Sequence, residues 1–518
     1  MVKTIETILS PKEAFDNKET IQYAARKLFL SADNIKGIRW KYRSIDARKY
    51  PVRIHSKFDV FVNEKPCSRD ISIQFPDVSR SPEIHIVGSG PAGYFAALEL
   101  IQLGLKPIVF ERGKNVSDRK RDIAQLLKNF GLNPDSNYAF GEGGAGTFSD
   151  GKLYTRVKRK EEIQKVLQIF YHHGAQENIL YESHPHIGTD VLPRVIENIR
   201  RTIERCGGKI LFNHKVTDFV IRNNQIAQLE INHSERIDVS IVILATGHSA
   251  RDIYQILLNH NIKLESKGFA MGVRIEHPQE LINTIQYHGK NYDRHLPPAS
   301  YSITKQIDGR GVYSFCMCPG GIIVPASSQE KQLVVNGMSN SKRNSPFANS
   351  GFVVELRPDD MAGFSDDSTL GGLKFQIHLE QLAYDQVGKN QMAPAQRMSD
   401  FVQGKISQNI PQNSYLPGVV SFPLHEWLPE PIGSSLRKAF MSLGKQIPGF
   451  LTNEAIIVGV ESRSSSPIRI PRDKEKLSNP QICNLFPCGE GAGFAGGIVS
   501  SAIDGMLAAR SVYKIIHR

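Results

Sequence analysis

Glu83-Ile-His-Ile-Val-Gly-Ser-Gly-Pro-Ala-Gly-Tyr-Phe-Ala-Ala-Leu-Glu-Leu-Ile-Gln-Leu103 reads as an apolar strand (Glu83–Val87), a glycine turn (Gly88-Ser-Gly90-Pro-Ala-Gly93) and a helix (Ala92–Leu103). A second strand, Pro107–Phe110, ends in Glu111. The acid follows the first glycine by roughly 20 residues, the spacing of a dinucleotide-binding βαβ unit. Each part has a physical task. Gly88 allows the tight turn, Gly90 lets backbone approach a pyrophosphate, and Gly93 lets helix and strand pack closely. The helix opening at Pro91 and Ala92 offers free N–H groups and its positive end to phosphate. Glu111 is expected to accept hydrogen bonds from adenosine ribose hydroxyls, which disfavours a 2′-phosphate.

The bare GxGxxG pattern recurs at Gly141/Gly143/Gly146 and Gly491/Gly493/Gly496, so context decides. The second match has no convincing strand or helix beside it. Gly143 and Gly144 are expected to form a backbone loop against a flat ligand, where side chains would block approach. The third follows a strand, Ile482–Cys488, and opens a helix, Ile498–Ile516, but no further strand and ribose acid remain before Arg518. It is expected to complete the site opened near residue 88, with Gly489, Gly496, Gly497 and Ile498 against the ligand. An NAD dehydrogenase usually continues with further parallel units after the first motif. A distant closing strand instead fits FAD, whose adenosine and flavin ends lie far apart. Val239–Leu244, a buried strand ending in Ala245-Thr246-Gly247, lets the chain cross close to the same cofactor.

The first 80 residues are expected to form a separate small α+β unit. Strands Thr4–Leu9, Lys36–Arg43 and Val52–Val62 accompany a helix from Lys18 to Leu30. In the second strand Ile38, Trp40 and Tyr42 alternate with Arg39, Lys41 and Arg43, which predicts one apolar and one basic face. The expected domains are residues 1–78, a small basic α+β domain; 83–266, the first part of the FAD-binding domain; 267–449, a substrate domain; and 450–518, the closing part. The fold class is α/β: a Rossmann-type FAD-binding domain interrupted by a mixed β-rich substrate domain.

The composition agrees with a folded enzyme. At 518 residues, 40% apolar and 22% charged, the chain has the content for buried cores, and its length fits roughly three domains. No apolar run nears the ~20 residues of a membrane span, and the first ten residues lack a signal-peptide core. Six cysteines are too few for a disulfide framework and read as reduced cytoplasmic thiols. The excess of 64 Lys and Arg over 52 Asp and Glu favours anionic ligands.

Further phrases carry a resemblance: Gly141-Glu-Gly-Gly-Ala-Gly-Thr-Phe-Ser-Asp-Gly-Lys152, Gly268-Phe-Ala-Met-Gly-Val-Arg-Ile-Glu-His-Pro278, Cys316-Met-Cys-Pro-Gly-Gly321, Asn336-Gly-Met-Ser339 and Val460-Glu-Ser-Arg-Ser-Ser-Ser-Pro467. From about Glu83 onward the chain resembles the bacterial uncharacterised FAD-dependent dehydrogenases, often labelled NAD(FAD)-utilising. These lie within the glutathione-reductase-like two-dinucleotide-fold flavoproteins. The resemblance implies FAD held by the glycine segments and Glu111, with Arg112 on the pyrophosphate and Val216 offering backbone to the adenine. It also implies Glu490 in the place usually held by a ribityl-binding aspartate.

Catalytic candidates are Cys316, Cys318 and Lys152. On an extended strand the two cysteines share a face near the upper limit of disulfide reach. Arg463 and Arg469 are candidates for an anionic substrate or a cofactor phosphate, and Arg274 and His277 for further substrate-pocket groups. His184-Pro-His186 with Asp190 lacks an organised third ligand, so no metal is expected. The expected activity is an FAD-dependent oxidoreductase, a dehydrogenase or reductase of a small molecule, with NAD(P)H as a transient reductant. The alternative is a flavoprotein that binds or modifies RNA through its basic N-terminal domain; no membrane partner is expected.

Overall fold

The computed structural model describes residues 1–517 apart from 68, 70, 130, 362 and 365–368. The dinucleotide motif sits in a five-stranded sheet of order Leu485–Pro487, Val242–Leu244, Glu83–Val87, Lys106–Glu111, Lys209–Phe212, every pair parallel. A parallel sheet is covered on both faces, so its strands read as continuous apolar runs; Ile84, Ile86, Val109, Val242 and Leu485 are buried accordingly. The strand nearest the C-terminus therefore does return to the sheet opened at Glu83. Helix Ile498–Ile516 lies on helix Pro91–Gln102 so closely that a Cβ at Gly505 would stand 2.0 Å from the Ala92 carbonyl oxygen. The expected strand Val239–Leu244 is shorter, because residues Glu235–Asp238 turn back into a hairpin with Gln225–Ile231 and only Val242–Leu244 joins the sheet.

The middle of the chain builds a seven-stranded sheet of order Thr304–Ile307, Arg310–Cys318, Phe347–Leu356, Phe269–Pro278, Ile456–Glu461, Ala393–Arg397, Val419–Ser421. All pairs are antiparallel except the last. Strand Ile456–Glu461 lies between Phe269–Pro278 and Ala393–Arg397, which moves the expected boundary at residue 450 past Glu461. The physical reason is its composition: Ile-Ile-Val-Gly-Val is apolar throughout, and all six positions are buried only with a neighbour on each edge.

The N-terminal domain is a three-stranded antiparallel sheet, Val2–Leu9, Arg53–Val62, Ile35–Asp46, beside helices Pro11–Phe15 and Asn17–Leu28. The expected division into one apolar and one basic face does not hold along the whole strand. The register shifts between Trp40, opposite Phe58, and Tyr42, opposite Lys57. This bulge exchanges the faces. Tyr42 is thereby 45% exposed, while the Arg43 guanidinium turns in over Phe15, Trp40 and Tyr181 and pairs with Glu182 at 2.5 Å. Backbone bonds join Arg43 to Tyr181 and Ser183, and one hydrophobic cluster runs from Ile54 and Phe58 into Phe269 and Met271. The domain is thus fastened to the body. Among the described residues no helix is long and apolar enough to cross a membrane.

Candidate functional site

Four separate glycine segments meet at the carboxyl ends of the parallel strands. Gly88, at φ +103°, lies so near the Ala245-Thr246 backbone that a Cβ there would stand 2.5 Å from the Ala245 carbonyl. A Cβ on Gly93 would fall 1.9 Å from the Gly88 carbonyl, on Gly489 2.9 Å from the Ala92 Cβ, and on Gly491 2.6 Å from the Gly247 carbonyl. Gly144 would meet Gly90 at 2.9 Å, and Gly146 lies 3.4 Å from both Pro91 and Ile498 by the same construction. Residues 88–93, 143–146, 245–247 and 489–498 are therefore one contiguous cluster. Helices Pro91–Gln102 and Ile498–Ile516 begin within it, capped by Gly90 and Gly497 with no side-chain cap on either. Their first-turn N–H groups remain for a ligand.

Other parts of the cluster are braced from within. Glu111 is buried, and its carboxylate accepts from Ser89 N (2.9 Å), Ser89 Oγ (2.7 Å), Gly113 N (2.9 Å) and Gly141 N (3.0 Å). It ties the first glycine turn to the 141–146 loop. Arg112 stacks on Phe140 and pairs with Asp252 at 2.9 Å, beside Lys215, which reaches Asp135 at 3.1 Å. Val216 is buried at the start of the neighbouring strand Val216–Arg222. Glu490 faces His248 Nδ1 at 3.5 Å, and the other His248 ring nitrogen, Nε2, is buried without a hydrogen-bond partner among the described residues.

Several supporting residues were not singled out in the sequence. Arg119 is fully buried and donates to the carbonyls of Asn137, Tyr138, Glu142 and Gly144. Burial lowers its guanidinium to about 10 against the pull of Glu111 and Glu142. Glu142 is raised by the same burial and accepts from Val116 N, Arg200 and Tyr94. Asp504 accepts from Gly489 N at 2.7 Å while Arg472 grips it with two nitrogens. The sequence signal for such residues is charge within an apolar helical run, as at Asp504 in helix Ile498–Ile516.

The three catalytic candidates come together in a second cluster. Lys152 Nζ lies 3.5 Å from Cys316 Sγ and 3.4 Å from Cys318 Sγ. Arg274 belongs here, fully buried, with Nη2 2.8 Å from the Cys316 carbonyl and 3.4 Å from Cys318 Sγ, and Nη1 3.1 Å from Glu461. Asp150 sits 3.4 Å from Lys152 and from Arg343. Burial works against charge on Lys152, yet Asp150 and the thiols hold its ammonium above the ordinary range. Burial raises Glu461 to about 7, with Arg274 pulling the other way.

The remaining candidates lie apart. His277 is buried, bonds to the Phe450 carbonyl at 2.9 Å, and is lowered to about 4 by burial. Arg463 is buried against Glu380, with Oε2 at 3.0 Å, and reaches Ser328 and Ser249. Arg251 grips the same carboxylate at 3.0 and 2.9 Å. Burial would raise Glu380, but the two arginines bring it to about 2. Arg469 is 43% exposed on the flank of the 489–497 loop, over Phe494. His184 stacks on Tyr154, His186 Nε2 meets the Ser341 carbonyl, and Asp190 accepts from Ser341 N and Oγ.

Residues 268–464 match the family described as FAD-dependent protein, C-terminal domain-like, and residues 1–61 match a domain of unknown function. The first match includes strand Ile456–Glu461, in line with its place in the seven-stranded sheet. The chain is 41% identical over 509 residues to an uncharacterised protein of Clostridium beijerinckii, with 94% of each covered, and it belongs to the same family as that protein. Among solved structures, a geranylgeranyl bacteriochlorophyll reductase-like protein from Thermoplasma acidophilum is 12% identical, with 84% of this chain and 79% of that one covered at a TM-score of 0.39. A triple mutant of the flavin-dependent brominase Bmp2 is 11% identical, covering 84% and 80% at 0.37. At such scores the likeness settles neither fold nor activity.

Proposed function

We propose that the protein is an FAD-dependent oxidoreductase of a small, anionic molecule, with NAD(P)H as its transient reductant. One observation carries the reading: glycine turns some 400 residues apart in the chain, 88–93 and 489–497, meet at Ala92 and Gly489 with two side-chain-free helix starts between them. The family match over residues 268–464 supports the same cofactor.

The cluster fits an extended dinucleotide. A Cβ at Gly247, Gly496 or Gly497 would meet nothing within 4 Å, and at Gly90 nothing nearer than 3.8 Å. These positions border open space where the protein itself does not need glycine for room. His248 Nε2 is a buried polar atom still to be satisfied. Gly90 and the first turn of Pro91–Gln102 would hold the pyrophosphate. Glu490 would meet the ribityl hydroxyls, and the start of Ile498–Ile516 would face the ring. FAD, when bound, supplies hydride and electron transfer. The chain's own share is orientation and charge: the Gly497 helix start favours negative charge, and Arg469, partly exposed and 3.9 Å from Glu265, would offer its guanidinium to an anionic substrate.

Purified protein is expected to carry a yellow chromophore that denaturation releases as FAD. Anaerobic NADH or NADPH is expected to bleach it. Colourless protein that takes up no added FAD would remove the cofactor; a bound flavin that neither nucleotide reduces would remove the proposed reductant.

A further inference from the structure

Strand Arg310–Cys318 carries a fault where its thiols lie. Phe315 is opposite Gly351 but Cys318 is opposite Asn349, so three steps on one strand match two on the other. The extra residue is accommodated at Cys316, whose φ is +48°, a left-handed conformation that non-glycine residues adopt uncommonly. A regular strand would hold alternate side chains parallel and apart. The bulge instead gathers both sulfurs on one ammonium, Lys152 Nζ, at 3.5 and 3.4 Å, and Cys318 Sγ lies 3.2 Å from the Cys316 carbonyl.

The surrounding charge is uneven. Lys152, Arg274 and Arg343 face Asp150 and Glu461, three cations against two carboxylates. His186, beside Lys152, is lowered to about 4 by burial and adds none near neutral pH. The excess of cations favours a thiolate. The sulfurs are unequal: a hydrogen bond from Cys318, then Lys152 and Arg274, hold Cys316 well below the usual thiol range, whereas burial holds Cys318 above it. Cys318 is fully buried; Cys316 is partly exposed, beside a Lys152 side chain that is 33% exposed. Cys316 is thus the more accessible of the two residues.

We propose that Cys316 and Cys318 form a dithiol–disulfide centre, Cys316 the attacking sulfur and Cys318 the resolving one. Toward a small disulfide RS–SR, the Cys316 thiolate attacks one sulfur, the S–S bond breaks and RS⁻ leaves. Cys318 passes its proton to that thiolate, then attacks Cys316 Sγ. The mixed disulfide breaks, the second RS⁻ departs, and an intrachain disulfide remains. Two protein sulfurs are oxidised and one disulfide is reduced to two thiols. The proposal stands on these residues alone and holds whether or not the chain binds FAD.

The test is incubation of the full chain in glutathione redox buffers, followed by acid quench, alkylation and peptide mass spectrometry. The expected result is loss of two hydrogens from the peptide holding Cys316 and Cys318 as oxidised glutathione rises. Cys318→Ser is expected to trap a glutathione adduct on Cys316, and Cys316→Ser to leave Cys318 unmodified. Lys152→Gln is expected to move the midpoint of the pH profile of Cys316 alkylation upward, with no change at the exposed Cys67 and Cys483. Those two rates, and the melting temperature, report whether each variant is folded. Alkylation of Cys316 no faster than that of Cys67 and Cys483, with no intrachain disulfide at any glutathione ratio, would overturn the proposal.

Discussion

Two buried charge clusters join the middle of the chain to the segment before it, and they are built to opposite ends. Around Glu380 the side chains of Arg251 and Arg463 are 5% and 7% exposed and the carboxylate is fully buried. Ser462 donates to Glu380, while Arg463 donates to Ser249 and Ser328 and Arg251 to Gln332. Around Lys152 the side chain is a third exposed, two of its neighbours are thiols, and one of these belongs to the partly exposed Cys316. The first cluster joins helix Gly371–Gln386 to helix Arg251–Asn259 and to the segment after Ile456–Glu461. It is a clasp. The second has the same kinds of charge but keeps a nucleophile at an opening. Burial of charge does not by itself mark a reactive site; an unsaturated, accessible member does.

The comparison predicts unequal costs. Glu380→Gln strands two buried guanidinium groups, and loss of one partner from such a network costs on the order of 3–5 kcal/mol. Its carboxyl lies near 2 when folded, against 4.5 as its ordinary value. That depression stabilises the fold fully above about pH 4.5, and the contribution disappears as pH falls through about 2. Denaturant melts of wild type and variant should therefore differ most at neutral pH and converge in acid. A gap that stays constant with pH would show that the clasp does not act through the charge of Glu380.

Gly93→Ala comes next. Its Cβ would stand 1.9 Å from the Gly88 carbonyl, so the strand–turn–helix unit must shift, a misfit of the kind that typically costs 1–3 kcal/mol. Thermal melting of the apoprotein should fall clearly; an unchanged melt would mean that Gly93 does not set the helix-to-strand distance. The smallest effect is expected for Lys152→Gln. Asp150 retains Arg343 and the Lys152 side chain is a third exposed, so about 1 kcal/mol is expected in the same melts. A loss as large as that of Glu380→Gln would make the second cluster another clasp.

Much of the nucleotide-binding half was legible because its constraints are local. Strand Glu83–Val87 and helix Ile498–Ile516 fall where the apolar pattern and glycine placement require. That the turns at 88–93 and 489–497 meet followed from the motif at 491–496, which lacks a further strand and acid of its own and was expected to complete the first. The charge clusters were not legible, because their members are non-local: Glu380 meets Arg251 from 129 residues away and Lys152 meets Cys316 from 164. Spacing carries no signal at such separations. Arg274 and Arg463 stood out in their phrases, yet both turn out to hold buried carboxylates. The bulges at Lys41 and Cys316 were also hidden, since alternation in sequence assumes a regular strand. In both places the bulge sets which side chains face inward.

The most direct test of the glycine cradle uses Gly90. Its φ of −70° suits any residue, and an added Cβ meets the protein no closer than 3.8 Å. Gly90→Ala should therefore leave the apoprotein's melting temperature unchanged. Titration with FAD, followed by flavin fluorescence and by the flavin retained after gel filtration, should show one FAD per wild-type chain and markedly weaker binding in the variant. Equal FAD binding by both chains, or none by either, would contradict the account.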